Sequence, residues 1–194
     1  LDLEKLSSGK HLLKIALANK ITSYRHQTYQ KVYESCMFGE EAIVTAGPQA
    51  LNFSFSPSNY PVNRYYEGRA VFNKHYYRTV GMMNQEEEEC ASTINKHDEV
   101  KYWVKNPEHA FWLPRAHNKF YPDFLVKLKN HKVLIVEYKG EHLIASEETE
   151  EKKRIGELWA EKTGNFFLLA VKKAKNGLDI SGQIIQAIDK ATIF

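Results

Sequence analysis

The chain has 194 residues, 43% hydrophobic and 12% aromatic, enough to bury one substantial core, and its length fits one domain with or without an appendage. Lysine and arginine number 27 against 24 aspartates and glutamates, a net charge of +3 that allows nucleic acid as a partner without demanding it. The two cysteines, Cys36 and Cys90, form no C-x-x-C pair, which argues against a disulfide framework or a zinc module and for a reducing, cytoplasmic setting; no apolar run approaches the roughly 20 residues of a membrane helix.

Because the sequence starts at Leu1 rather than methionine, a fragment of a longer polypeptide is expected. From Gly9 to about Ser35, apolar residues such as Leu12, Leu13, Ile15 and Ala16 recur at helical spacing, which predicts one long or broken helix packed on something. SSGK at Ser7–Lys10 is no P-loop: Glu4 stands where that motif needs glycine, and His11 where it needs Ser or Thr. Residues Gly47–Asn63 are rich in Pro, Ser and Asn and read as a loop, and YYEGRAVFNKHYYRTV after them suits one or two strands.

From Asn84 the pattern sharpens. NQEEEECASTIN reads as a helix capped by Asn84, with Glu86–Glu89 near its positive end. Strands follow at Val100–Val104 and His109–Leu113, then the stretch FYPDFLVKLKNHKVLIVEYKG, a helix over Glu147–Thr163, the strand FFLLAV at Phe166–Val171 and a helix near Gly182–Ala191. The fold class this predicts is α/β: an αβββαβ core (residues 81–194), its mixed sheet flanked by helices, behind an N-terminal extension or connector (1–80).

FYPDFLVKLKNHKVLIVEYKG holds charges among residues that want burial, which is costly unless they are paired, bound to metal or used in chemistry. Period-two geometry puts Glu137 and Lys139 on one strand face, about 7 Å apart. Antiparallel pairing brings Asp123 opposite Glu137 only if Leu128 opposes Lys132 across the three-residue turn Lys129–His131; a two-residue turn would put Phe124 there instead, unless a bulge corrects it. An odd-length turn or a bulge is therefore expected. Two close carboxylates favour a hard cation such as Mg²⁺, and with a neighbouring ammonium they suit hydrolysis of a phosphodiester.

Pro122-Asp123 followed by Glu137-Tyr138-Lys139 resembles the PD-(D/E)XK nuclease superfamily. VKYWVKN at Val100–Asn106, FYPDFLV, VEYKG and EKKRIGELWA at Glu151–Ala160 resemble, in that order, the C-terminal endonuclease region of type III restriction subunits. The likeness covers about the last 110 residues, with a weaker extension at Tyr65–Tyr77. It implies a restriction-endonuclease-like fold and a Mg²⁺-dependent endonuclease acting on double-stranded DNA. Asp123, Glu137 and the Tyr138 carbonyl would hold the metal, Lys139 would assist the attacking water, and Lys152 would contact the scissile phosphate. A glutamate of the first core helix often joins such sites; Glu87, on the face of Cys90, Ala91 and Ile94, is the first choice and Glu86 the second. The resemblance also implies an ATP-driven helicase motor and a methyltransferase subunit as partners; no Walker A motif is present, so ATP would be used only by absent sequence.

Plainer readings accompany each residue. Glu137 and Lys139 could form an edge ion pair, Asn84-x-x-Glu87 is a capping-box pattern, and Lys152 could pair with Glu148 one turn earlier. Arg115, His117, Asn118 and Lys119 could contact phosphate or form a solvated loop. His109, His117 and His131 lack metal spacing and receive no catalytic role. Lys153 is expected to be solvated and Gly156 to permit close helix packing. The competing function is a catalytically silent nuclease-fold module that binds DNA or serves assembly.

Overall fold

The computed structural model describes residues 10–21, 23, 24, 27, 28, 31 and 59–193, other than 108, 109, 116, 117 and 145. The loop expected over Gly47–Asn63 falls mostly outside these residues, as do Cys36, His109 and His117. Residues 10–21 form a helix (α1), and the described positions 23, 24, 27, 28 and 31 are helical as well. Its apolar side chains were expected to pack, yet Leu12, Leu13, Ile15, Leu17 and Ile21 are exposed.

The core is built from α2 (Gln85–Lys96), β1 (Val100–Lys105), β2 (Leu113–Pro114), β3 (Lys119–Phe120), β4 (Phe124–Leu128), β5 (Val133–Lys139), a 3-10 turn at Glu141–Leu143, α3 (Glu147–Thr163), β6 (Phe166–Val171) and α4 (Ile180–Ile193). The fold is therefore α/β, with a mixed four-stranded sheet in the order β1-β4-β5-β6. β1, β4 and β5 run antiparallel, whereas β5 and β6 are parallel because α3 carries the chain back across the sheet. The strand expected at His109–Leu113 shrinks to Leu113–Pro114, which leaves the main sheet and pairs with β3 in a separate ribbon.

Alternation along the strands divides the core between two faces. Phe124, Val126, Leu128, Leu134 and Val136 meet Cys90, Ala91 and Ile94 of α2 and Ile184 and Ile188 of α4. Ile135 faces the other way, onto Ile155, Leu158 and Trp159 of α3 and onto Phe120 of the ribbon. Each large side chain taken wholly out of water here contributes about 1.5–3 kcal/mol of transfer free energy. Gly156 makes the α3 contact possible: a Cβ there would lie 2.4 Å from the Phe167 ring. α2 starts with the expected Asn84 cap and α3 with Ser146, whose hydroxyl accepts the Thr149 N–H; α3 ends on Gly164 in the left-handed conformation.

The β4–β5 register is Phe124 to Val136, Leu125 to Ile135, Val126 to Leu134 and Lys127 to Val133. One step further each way, Asp123 stands opposite Glu137 and Leu128 opposite Lys132, across the expected three-residue turn. Leu128 accepts the His131 N–H at 3.1 Å and donates its own to Lys132 at 3.0 Å, and His131 takes the left-handed conformation (φ 67°) that closes such a turn.

Residues 65–80 correct the sequence reading, since they contain only isolated bridges, Tyr65 to Gly81 and His75 to Trp103, in place of the expected strands. Their aromatic rings serve packing rather than a pleat. Phe72 and His75 meet Trp103 edge-on at 5.4 and 4.7 Å, and Tyr60 stacks on Tyr77 at 4.5 Å. The segment runs along β1, where Lys74 and Tyr76 exchange backbone hydrogen bonds with Trp103 and cover an edge that would otherwise offer unpaired groups.

Candidate active site

β4 begins just after Asp123, and β5 carries Glu137, Tyr138 and Lys139 at its end, so chain entry and chain exit bring these residues together on one rim of the sheet. Asn106 fixes the entry. Its side-chain amide donates to the Pro122 and Phe111 carbonyls (2.8 and 2.9 Å), and its backbone N–H donates to the Asp123 carbonyl (2.8 Å). The Asp123 Oδ2 accepts the Tyr138 N–H at 2.8 Å, tying the carboxylate to the backbone between Glu137 and Lys139. A strand residue turns its N–H and C=O to the same neighbour, so the Tyr138 carbonyl points to the Asp123 side as well.

Two ion clusters flank this tie. On the α2 side, the Lys105 ammonium lies between Glu87 Oε1 at 2.9 Å and Asp123 Oδ1 at 3.1 Å, 4.8 Å from the centre of the Phe124 ring. On the α3 side, Glu137 Oε1 accepts Lys139 at 2.6 Å and Lys152 at 3.2 Å. Glu137 is only 2% exposed, and its Oε2 is buried with no hydrogen-bond partner among the described residues. The Asp123 carboxylate spans the two clusters: its register matches Glu137, while its Oδ1 bonds across the sheet rim to the α2 side.

The electrostatics follow from this arrangement. Burial, and after it the charge of Asp123, pushes the Glu137 carboxyl up to about 7. Burial would raise Asp123 too, but the Lys105 ammonium, the Tyr138 N–H and Lys139 together hold it below the usual carboxylate range. Burial works to lower Lys105, yet Asp123 and Glu87 overcome it and keep its pKa raised. Lys139 is likewise raised, by Glu137 against burial. Two carboxylates with environments this different can do different work at neutral pH.

Two grooves meet here. One, of about 490 Å³, is lined by Glu86, Glu87, Asp123, Tyr138 and Lys139; the other, of about 1040 Å³, by Arg64, Lys105, Asn118, Lys119, Asp123 and Lys152 among others. Glu87 and Asp123 line both, so they stand on the saddle between them. Lys139 reaches Glu137 from one groove and Lys152 from the other.

All five residues singled out from the sequence, Asp123, Glu137, Lys139, Glu87 and Lys152, thus lie around this rim. Several also fill the plainer roles. Glu87 Oε2 closes the capping box on the Asn84 N–H at 3.0 Å while its other oxygen holds Lys105, and Lys152 also meets Glu148 at 3.3 Å. Glu86 lines the smaller groove beside Glu87. Arg115, considered for phosphate contact, is clamped by Glu148 at 3.2 Å and Glu151 at 2.7 Å. Lys119 lies 4.3 Å over the Trp112 ring, at the mouth of the larger groove, and Lys153 is exposed as expected.

Lys105 and Asn106 escaped the sequence reading, although both lie in VKYWVKN. The available signal was face sharing: Lys105 falls two residues after the buried Trp103, on the same strand face, and a lysine there requires a carboxylate. Among the described residues, no cluster of three or more His, Cys, Asp or Glu is arranged to hold a metal ion, and no helix is long and apolar enough to cross a membrane. No family model, curated protein or solved structure matches the chain.

Proposed function

We propose that this chain is a PD-(D/E)XK-type module with a restriction-endonuclease-like αβββαβ core, hydrolysing phosphodiester bonds of double-stranded DNA with Mg²⁺. The observation that carries the reading is Asp123 standing opposite Glu137, with Lys139 following on the same strand, at a saddle between a smaller, mostly acidic groove and a larger one whose wall carries Arg64, Lys105, Lys119 and Lys152.

The donor set fits a hard divalent cation. Mg²⁺ takes one or two carboxylates and completes its shell with waters and substrate oxygens. Asp123 and Glu137, with the Tyr138 carbonyl on the same side, supply that number, and the orphaned Glu137 Oε2 is a buried acceptor in need of a cation or a donor. Bound there, Mg²⁺ supplies Lewis-acid stabilisation of charge building on the phosphate oxygens. The chain's own residues do the remainder. Lys139 orients the attacking water, Lys152 neutralises a phosphate oxygen from the larger groove, and Lys119 positions the DNA backbone along it. As a cleavage module of a type III restriction system in the cytoplasm, the chain would work beside an ATP-driven motor and a methyltransferase subunit that reads sequence.

One observation favours a second reading, a silent DNA-binding or assembly module. Lys105, Lys139 and Lys152 already neutralise Glu87, Asp123 and Glu137 without a metal. Incubation with supercoiled plasmid separates the two, with DNA affinity measured in parallel. Nicking or linearisation in Mg²⁺, abolished by EDTA, is the nuclease outcome. DNA binding with no metal-dependent cutting, even with candidate motor and methyltransferase partners, would replace it with the binding module.

A further inference from the structure

The Lys105 ammonium stands where a cation between Glu87 and Asp123 would stand. It bonds to both carboxylates, its side chain is only 11% exposed, and the Phe124 ring closes one side. The backbone around it is equally constrained. The buried ring of His75 accepts the Lys105 N–H at 3.2 Å through Nε2, its Nδ1 meeting the Tyr77 carbonyl at 2.9 Å, and the Tyr60 hydroxyl donates to the Lys105 carbonyl at 2.7 Å. Burial holds His75 low, near 4, so its ring stays neutral and this acceptor persists at ordinary pH. The segment covering β1 therefore fixes the main chain from which the lysine reaches, and the lysine itself borders the larger groove.

We propose that Lys105 is an internal counter-ion of the metal site: its ammonium holds the Glu87–Asp123 carboxylates in the metal-free protein and is displaced toward the larger groove when a divalent cation binds. The inference rests on the metal reading above, extends its donor set from Asp123 and Glu137 to Glu87, and adds a competition to it. An ammonium and a divalent cation cannot share the same carboxylate oxygens at close range, so the metal must overcome one ion pair to each acid. Conversely, the metal-free site does not collapse or repel itself open, because the lysine keeps the two acids together.

Mn²⁺ binding to the full chain, read by the loss of its free electron paramagnetic signal, tests this without any cleavage assay. Lys105→Met removes the competitor and should bind Mn²⁺ about tenfold more tightly than wild type, a difference of roughly 1.4 kcal/mol. In EDTA the same variant should melt below wild type, and the gap should close on adding Mn²⁺. Lys105→Gln, which removes the charge but keeps a polar side chain, should show the same tightening, while Lys172→Met, which removes an equal charge from the wall of the smaller groove, should leave affinity within about twofold. Wild type binding Mn²⁺ while both Lys105 variants bind it no better, or worse, would overturn the proposal and leave the metal reading standing. An equal gain in Lys172→Met would reduce the effect to bulk charge and overturn it as well. Failure of wild type and all variants to bind Mn²⁺ would remove the metal reading, and this inference with it.

Discussion

Asp123 accepts the backbone N–H of Tyr138 at 2.8 Å, so a carboxylate at the start of β4 is bonded to the peptide joining Glu137 to its neighbour at the end of β5. This bond needs the β4–β5 register, which here is set by the three-residue turn. The geometry of the site is therefore set by a hairpin more than ten ångströms of chain away from it on either strand, at about 3.4 Å per residue.

The turn makes the first prediction. His131 holds φ at 67°, a conformation that costs an ordinary side chain about 1–2 kcal/mol and glycine nothing. Chemical denaturation should find His131→Gly as stable as wild type or up to about 1 kcal/mol more so, and His131→Val less stable by about 1–2 kcal/mol. Equal stability of the two variants would contradict the turn geometry.

A second prediction concerns α3, which delivers Lys152. Gly156→Ala drives a methyl into the Phe167 ring and should destabilise by about 1–3 kcal/mol. Phe167→Leu should recover part of that loss in a double-mutant cycle, because the two residues share one contact. Additive losses would mean that α3 does not pack on β6 through this glycine.

The pH dependence of the metal-free protein follows from Glu137. Its folded carboxyl titrates at about 7 against an ordinary 4.5, so between those values the folded state holds a proton that the unfolded chain has lost. The stability this group contributes is complete below pH 4.5 and disappears as pH rises through about 7. Asp123 has the opposite sign: held below 3.8, it contributes above that value and loses its contribution as pH falls. Thermal melts in EDTA between pH 4.5 and 8 should show a decline that Glu137→Gln flattens; an unchanged slope in that variant would assign the decline elsewhere.

Much of this architecture was legible in the sequence, for identifiable reasons. The hairpin register could be counted, because side-chain alternation has a period of two and the apolar set fixes which face is buried. Asn84, Glu147–Thr163 and FFLLAV carried strong local signals, in a cap, an acidic first turn and a continuous apolar run. The tyrosines and the single phenylalanine, Phe72, of residues 65–80 misled because aromatic residues suit a pleat and an edge-on packing cluster equally well. Lys105 was obscured for another reason: its partners lie 18 residues away in either direction, and only the tertiary fold brings Glu87 and Asp123 to one ammonium.

The α2 cap offers a further check, since Asn84 and Glu87 bond reciprocally. Asn84→Ala should lower stability by about 1 kcal/mol in denaturant melts. Because Glu87 also holds Lys105, Glu87→Gln should cost more than Asn84→Ala; the reverse order would make Glu87 a cap alone.

The central claim is that Asp123, Glu137 and Lys139 form one hydrolytic site, and the most direct measurement is plasmid cleavage in Mg²⁺ by wild type, Asp123→Ala and Lys139→Ala, each first shown to be folded. The account predicts metal-dependent nicking by wild type and a loss of about a hundredfold or more in both variants. Cleavage that persists unchanged in either variant would contradict it.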